Sequence, residues 1–283
     1  IKLMKLFSIF YPKFPFSPSK LPFFYGWVIV IITTIGTASS IPGQTMGVGV
    51  FTDYLIEITD LSRMQISIAY MIGTILSSML ITISGRMIDI FGTRVMIFFS
   101  GIGLGISLLL FSEVINILLF LDKIFPTNFY FFTRLILLTA IFLLLRQFGQ
   151  GLLAMVSRIT LAKWFDKKRG FVSGISGVFV AISFSGAPFF LNEIIDLYGH
   201  SESIVIMSIF FGFGMAILGW IFYRDNPEEC GLIMDGLEKL SRESVLVDVE
   251  PTISLKEALK TYNFWVFTFG LCSASLITTG FTF

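Results

Sequence analysis

Two side chains in the apolar stretch before Trp164 have the types and spacing to hold an anion. Arg146 and Gln150 are four residues apart, so a helix through them sets both on one face, with Leu153 and Ser157 continuing it. A guanidinium beside a carboxamide can clamp a carboxylate through paired hydrogen bonds. Gly149 and Gly151 let another helix or a ligand come close. Gln44 is a second pathway candidate, because Pro42 and Gly43 interrupt the apolar run around it. Such a break frees backbone carbonyls, which is tolerated where the helix lines a cavity or packs on protein. The neighbouring hydroxyls of Thr33, Thr34, Thr37, Ser39, Ser40 and Thr45 are expected to bond their own helix backbone. A different charge pattern falls in GRMIDIFGTR, Gly85–Arg94, where Arg86, Asp89 and Arg94 must lie at or beyond a membrane face. Gly85 and Gly92 permit a tight chain reversal there.

Other chemistries find less in the chain. Gly174–Gly177 reads G-I-S-G and resembles the nucleophile motif of rhomboid proteases. A serine nucleophile needs a base within hydrogen-bond reach, and the single histidine, His200, falls in a polar loop rather than on a facing helix. The chain therefore does not read as an enzyme, and no cofactor or metal site is expected. Cys230 and Cys272 fall in a polar loop and an apolar run and are read as free thiols. A net charge of +1 argues against a nucleic-acid partner.

The elements that position these residues are membrane helices. The chain is 55% hydrophobic and 14% charged, with mean hydropathy +0.86; a soluble domain carries about 25% charged residues. The fold class is all-α, a multi-pass helical membrane protein, because apolar runs of about 20 residues recur along it. Residues 1–24 form a tail with Lys2, Lys5, Lys13 and Lys20. Residues 25–222 form a six-helix transmembrane bundle, with spans near Gly26–Phe51, Met64–Ser84, Val95–Ser112, Leu138–Ala162, Gly170–Leu191 and Ser203–Phe222. Residues 223–262 form a central loop, in which Ser254 and Glu257 make a capping box for a short helix. Residues 263–283 form a seventh span, the start of a second bundle. In span five, Gly170, Gly174 and Gly177 are expected to be packing surfaces and Pro188 a kink.

Lysines and arginines set the orientation. With the N-terminus inside, Lys2, Lys5, Lys13, Lys20, Arg86, Arg94, Lys163, Lys167, Lys168 and Arg169 lie on the inner side, against Arg63, Lys123 and Arg134 outside. A cytoplasmic N-terminus in the plasma (cell inner) membrane follows. Two arginines remain within span four. Arg158 lies six residues before Trp164, about 9 Å along a helix, and is read as snorkelling inward or pairing with an acid there. Arg146 is too far from that surface. It either reaches outward, pairs with an outer acid, or faces a polar interior.

In that inside turn, Gly85, Asp89, Gly92 and Arg94 resemble the signature loop of the major facilitator superfamily, G-x-x-x-D-[RK]-x-G-x-R-[RK], with Ile90 and Val95 at two positions that are basic in the pattern. Tyr25–Trp27, Lys163–Gly170 (KWFDKKRG), Arg224–Gly236 (RDNPEECGLIMDG) and Leu255–Trp265 are similar to stretches of its oxalate/formate-antiporter and monocarboxylate-transporter-like branch. The likeness covers about residues 25–112 and 138–283, with 113–137 an insertion. R-x-x-x-Q-G at Arg146, Gln150 and Gly151 has one residue more than the superfamily's R-x-x-Q-G. The resemblance implies a twelve-span carrier of two halves that rock around a midplane site. This chain would hold the first half plus span seven. It implies a secondary active transporter, symporter or antiporter, of a small organic anion such as a mono- or dicarboxylate, with a coupling proton or counter-anion and the lipid bilayer as partners. It also implies that Gly85, Arg86, Asp89, Gly92 and Arg94 form a gating clasp, Asp89 as acceptor and Arg86 and Arg94 as donors to acids or to a helix C-terminus. The alternatives are a seven-helix receptor or sensor, although span seven has no lysine for a Schiff base, and a truncated inactive carrier fragment.

Overall fold

The computed structural model describes residues 11–12, 14–236 and 255–282 and divides into two compact units, 1–236 and 237–283. Among the described residues the chain is helical, with six helices long and apolar enough to cross a membrane, all in the first unit. A shorter apolar helix, Tyr262–Ile277, lies in the second.

The first crossing is broken as its Pro-Gly pair requires. α1 (Gly26–Ala38) ends at Ser39, a short turn covers Ile41–Gly43, and the chain resumes as α2 (Thr45–Gly49) and α3 (Thr52–Thr59). The hydroxyls of α1 behave as expected: Thr33 donates to the Ile29 carbonyl at 2.6 Å and Thr37 to that of Thr33 at 2.9 Å. α4 (Arg63–Phe91) starts at a capping box between Ser62 and Gln65 and runs 29 residues. At 1.5 Å per residue that is about 43 Å, more than the hydrocarbon core of about 30 Å. Gly85 lies within its last turns, inside the helix. The expected reversal over Gly85–Arg94 is accordingly confined to Gly92, whose φ of +84° is open to glycine and strained for an L side chain.

α5 (Thr93–Ser112) follows and is among the better buried spans. The stretch 113–137 is not a structureless insertion. α6 (Val114–Ile124) packs Val114 and Leu118 inward, and Arg134 ties the returning chain to Asp122 at 3.5 Å and Asp60 at 3.1 Å. The fourth crossing is α7 (Tyr130–Leu145), a π-helical turn Arg146–Leu153, and α8 (Ala154–Trp164). α9 (Arg169–Tyr198) is longer than expected and continues through Pro188. α10 (His200–Met207), a second π-helical turn Ser208–Gly214, and α11 (Met215–Phe222) make the sixth crossing.

The glycines expected to pack span five do not. Gly170, Gly174 and Gly177 meet nothing within 4 Å among the described residues. Close approach occurs instead at the span-one break, where a Cβ on Gly43 would lie 2.9 Å from the Gly149 Cα. That contact docks the break against the π-helical turn.

In the second unit, α12 (Leu255–Ala258) precedes α13 (Tyr262–Thr282). Ser254, half of the expected capping box, lies outside the described residues.

Candidate functional site

The break in the first crossing and the π-helical turn of the fourth meet at a cavity of about 440 Å³. Gln44, Arg146 and Gln150 all line it, together with Thr74 and Ser77 of α4 and Phe184 of α9. The sequence put Arg146 and Gln150 forward on one argument and Gln44 on another, and the fold brings all three to one space. Among the described residues the lining holds two guanidinium groups, Arg146 and Arg158, and no carboxylate.

Arg146 is held by neutral groups. Its Nη1 donates to the Tyr70 hydroxyl at 2.9 Å and, more weakly, to the Gly43 carbonyl at 3.4 Å. Its Cζ also sits 5.3 Å from the Tyr70 ring centroid. Tyr70 is positioned in turn by its hydroxyl, which donates to Thr45 at 3.0 Å. Gln44 donates its amide to Ser40 at 3.0 Å. No acid pairs with Arg146 among the described residues; Asp60 and Asp122 pair with Arg134, and Asp53 with Arg63. A membrane-buried guanidinium without a counter-charge costs several kcal/mol. What the arrangement offers chemically is an unbalanced cation with free donor capacity, beside two carboxamides.

One expectation for this wall is corrected. Leu153 and Ser157 do not continue the face of Arg146. Both are fully buried, and Ser157 shares a 2.8 Å hydrogen bond with the Tyr223 hydroxyl. The π-helical turn rotates the helix away from the 3.6-residue period on which that expectation rested. Arg158, read as a snorkelling residue, opens onto the cavity. Gln147, next in sequence to Arg146, turns away to accept from Ser77 at 3.0 Å and donate to Ser84 at 2.7 Å.

A second polar cluster forms around Gly92. Arg94 is 1% exposed. It donates to the Trp220 carbonyl from Nε at 2.9 Å and Nη2 at 2.6 Å, and to the carbonyls of Tyr11 at 2.7 Å and Phe14 at 2.6 Å. Every orphan carbonyl in the last turn of α11 is thereby satisfied. Trp220 takes Arg94, Ile221 takes Arg224 at 2.8 Å, Phe222 takes the Tyr25 hydroxyl at 2.8 Å, and Gly219 takes the Tyr223 amide at 2.9 Å. The acid that receives this corner is Asp225, not Asp89. Its carboxylate accepts from the Thr93 hydroxyl and the Arg94 amide, each at 2.9 Å, capping α5 where the helix dipole is positive. Asp89 and Arg86 are exposed on α4 and make no hydrogen bond or ion pair among the described residues. Gly85 lies beside them, inside α4.

Asp235 plays the matching part at α9. With φ +60°, it accepts backbone N–H groups of Asp166, Lys167 and Lys168 at 3.2, 2.8 and 3.1 Å. Residues 224–236 thus form a strap whose two acids cap two helices. Burial pushes the thiol of Cys230, within this strap, up to about 11 and lowers the Arg224 guanidinium from its usual value. Both cysteines are free. The sequence held a signal for the strap, two aspartates spaced along a glycine-containing polar run, but no periodicity that would say which amides they meet. The only histidine, His200, stacks on Tyr54 at 4.3 Å, while Ser176 of the G-I-S-G stretch accepts from the Thr34 hydroxyl at 2.8 Å.

No match was found among curated proteins or among solved structures. Residues 28–283 match the family model of the Major Facilitator Superfamily. The match spans the broken first crossing, the Gly92 corner, both π-helical turns and the second unit. By that coverage the chain belongs to the Major Facilitator Superfamily, a family of membrane transporters that carry small solutes.

Proposed function

We propose that this transporter carries a small organic anion, a mono- or dicarboxylate, by alternating access. The single observation behind the reading is Arg146, a charged side chain on an acid-free cavity whose partners are all neutral. A carboxylate entering the cavity supplies the missing counter-charge. It would take the unused N–H donors of Arg146, while the Gln150 and Gln44 amides orient it. Tyr70 keeps the guanidinium aimed through the hydroxyl bond and the ring stack. The carrier is secondary active, a symporter with a proton or an antiporter with a counter-anion, in the plasma membrane with its N-terminus inside. Gly85, Arg86, Asp89, Gly92 and Arg94 serve as the gating clasp of that inner face. Arg94 and Gly92 hold the corner, while Arg86 and Asp89 present charge on an open helix face to a moving partner.

The reading is tested by charge class. The purified protein is challenged with acetate, succinate and their neutral amides, acetamide and succinamide, and binding is followed by thermal shift. Stabilisation by one or both carboxylates, with none by the amides, is expected. Stabilisation by the amides alone, or by a cation such as choline, contradicts it.

A further inference from the structure

Arg146 and Arg158 are twelve residues apart. On an uninterrupted α-helix that spacing turns the second side chain about 120° away from the first. They would then face different neighbours. The π-helical turn Arg146–Leu153 changes this, because bonding to the fifth residue absorbs one residue without advancing the helical wheel. Eleven effective steps leave the two arginines about 20° apart. Gly151 and Met155, five and nine residues after Arg146, share the lining with Gln150, Ala154 and Arg158. A Cβ on Gly151 would lie 3.3 Å from the Arg146 carbonyl, which places residue i+5 over residue i.

Arg158 is exposed, and it makes no hydrogen bond or ion pair among the described residues. It therefore presents a full positive charge to the cavity. Along the axis it stands about 17 Å from Arg146, toward the face that carries Gly92. One small carboxylate meets the two guanidinium groups in succession more readily than together.

We propose that Arg158 is a second anion station between Arg146 and the Gly92 face, aligned with it by the π-helical turn, and that it sets the apparent affinity for solute arriving from that face. The inference rests on the anion reading of the cavity. An anion at the Gly92 face meets a cation before it meets the deeper site, which raises its local concentration at the mouth. From the opposite face the anion reaches Arg146 first, and Arg158 contributes only to departure.

The test uses the full chain in proteoliposomes of defined orientation, with labelled acetate and succinate supplied at each face in turn. Arg158→Gln is expected to raise KM at the Gly92 face about tenfold, a change of about 1.4 kcal/mol, while KM at the other face stays within about twofold. Arg158→Lys should restore most of the loss, since a station needs charge more than fork geometry. An unchanged KM at both faces, an equal rise at both, or a sided rise that lysine does not relieve overturns the inference. If the wild-type protein transports neither carboxylate, the anion reading itself fails, and the station fails with it.

Discussion

Two arginines in one bundle, Arg94 buried and Arg146 half-buried, have opposite characters, and the difference lies in how many donors are spent. A guanidinium carries five N–H donors. Arg94 spends four hydrogen bonds on three backbone carbonyls of two segments, so it holds structure. Arg146 spends two, one of them long, so it has capacity left for a solute. Arg94→Ala should lower stability by about 2–4 kcal/mol, since it strands the carbonyls of Trp220, Tyr11 and Phe14. Thermal unfolding in detergent checks this, and Arg146→Gln should melt close to wild type in the same assay. The two acids at the corner separate in the same way. Asp225→Ala removes the cap of α5 and should cost about 1–2 kcal/mol. Asp89→Ala should stay within about 0.5 kcal/mol, as for any exposed residue without partners. Its effect is expected on transport rate instead. The sequence made Arg146, Gln150 and Gln44 visible because polar groups within apolar runs need a reason. It could not reveal Asp225 or Asp235, whose partners, four backbone amides and the Thr93 hydroxyl, lie 67 to 132 residues away and are reached only once the helices have packed.

At the level of elements, hydropathy located the crossings and missed how they end. Thr93–Ser112 agrees with its sequence reading almost to the residue, because Gly92 and Glu113 bound an apolar run cleanly. Arg63–Phe91 and Arg169–Tyr198 overrun theirs, because helix propensity carries them past the apolar boundary into charged turns. The π-helical turn was latent in one extra residue, R-x-x-x-Q-G, but the 3.6-residue wheel has no means to express it and so misplaced Leu153 and Ser157. The strap offers its own test. With its thiol pushed to about 11, Cys230 holds only roughly a thousandth of its population as thiolate at pH 8. Maleimide alkylation of Cys230 should be slow there and climb about tenfold per pH unit past pH 9, where an ordinary thiol levels off. Asp235→Asn should loosen the strap and speed that alkylation at pH 8. Equal rates in both proteins, followed by mass spectrometry of the Cys230 peptide, would show that Asp235 does not hold the strap down.

Across the whole molecule, burial is uneven in a way that fits a carrier. Only 17% of the apolar window of Arg169–Tyr198 is buried within the chain and 28% of that of Arg63–Phe91, against 56% for Thr93–Ser112. The two helices with open faces also contribute Phe184, Thr74 and Ser77 to the cavity wall. A site bordered by helices with unspent surface is suited to opening and closing against a partner, whereas a site enclosed by spent surface is not. The anion itself is what the account depends on. The most direct measurement is the uptake of labelled acetate and succinate into proteoliposomes by the wild-type protein, Arg146→Gln and Arg146→Lys. Saturable uptake that falls at least about tenfold in Arg146→Gln, with lysine intermediate and all three proteins equally folded, is the predicted result. Undiminished uptake in Arg146→Gln would contradict it.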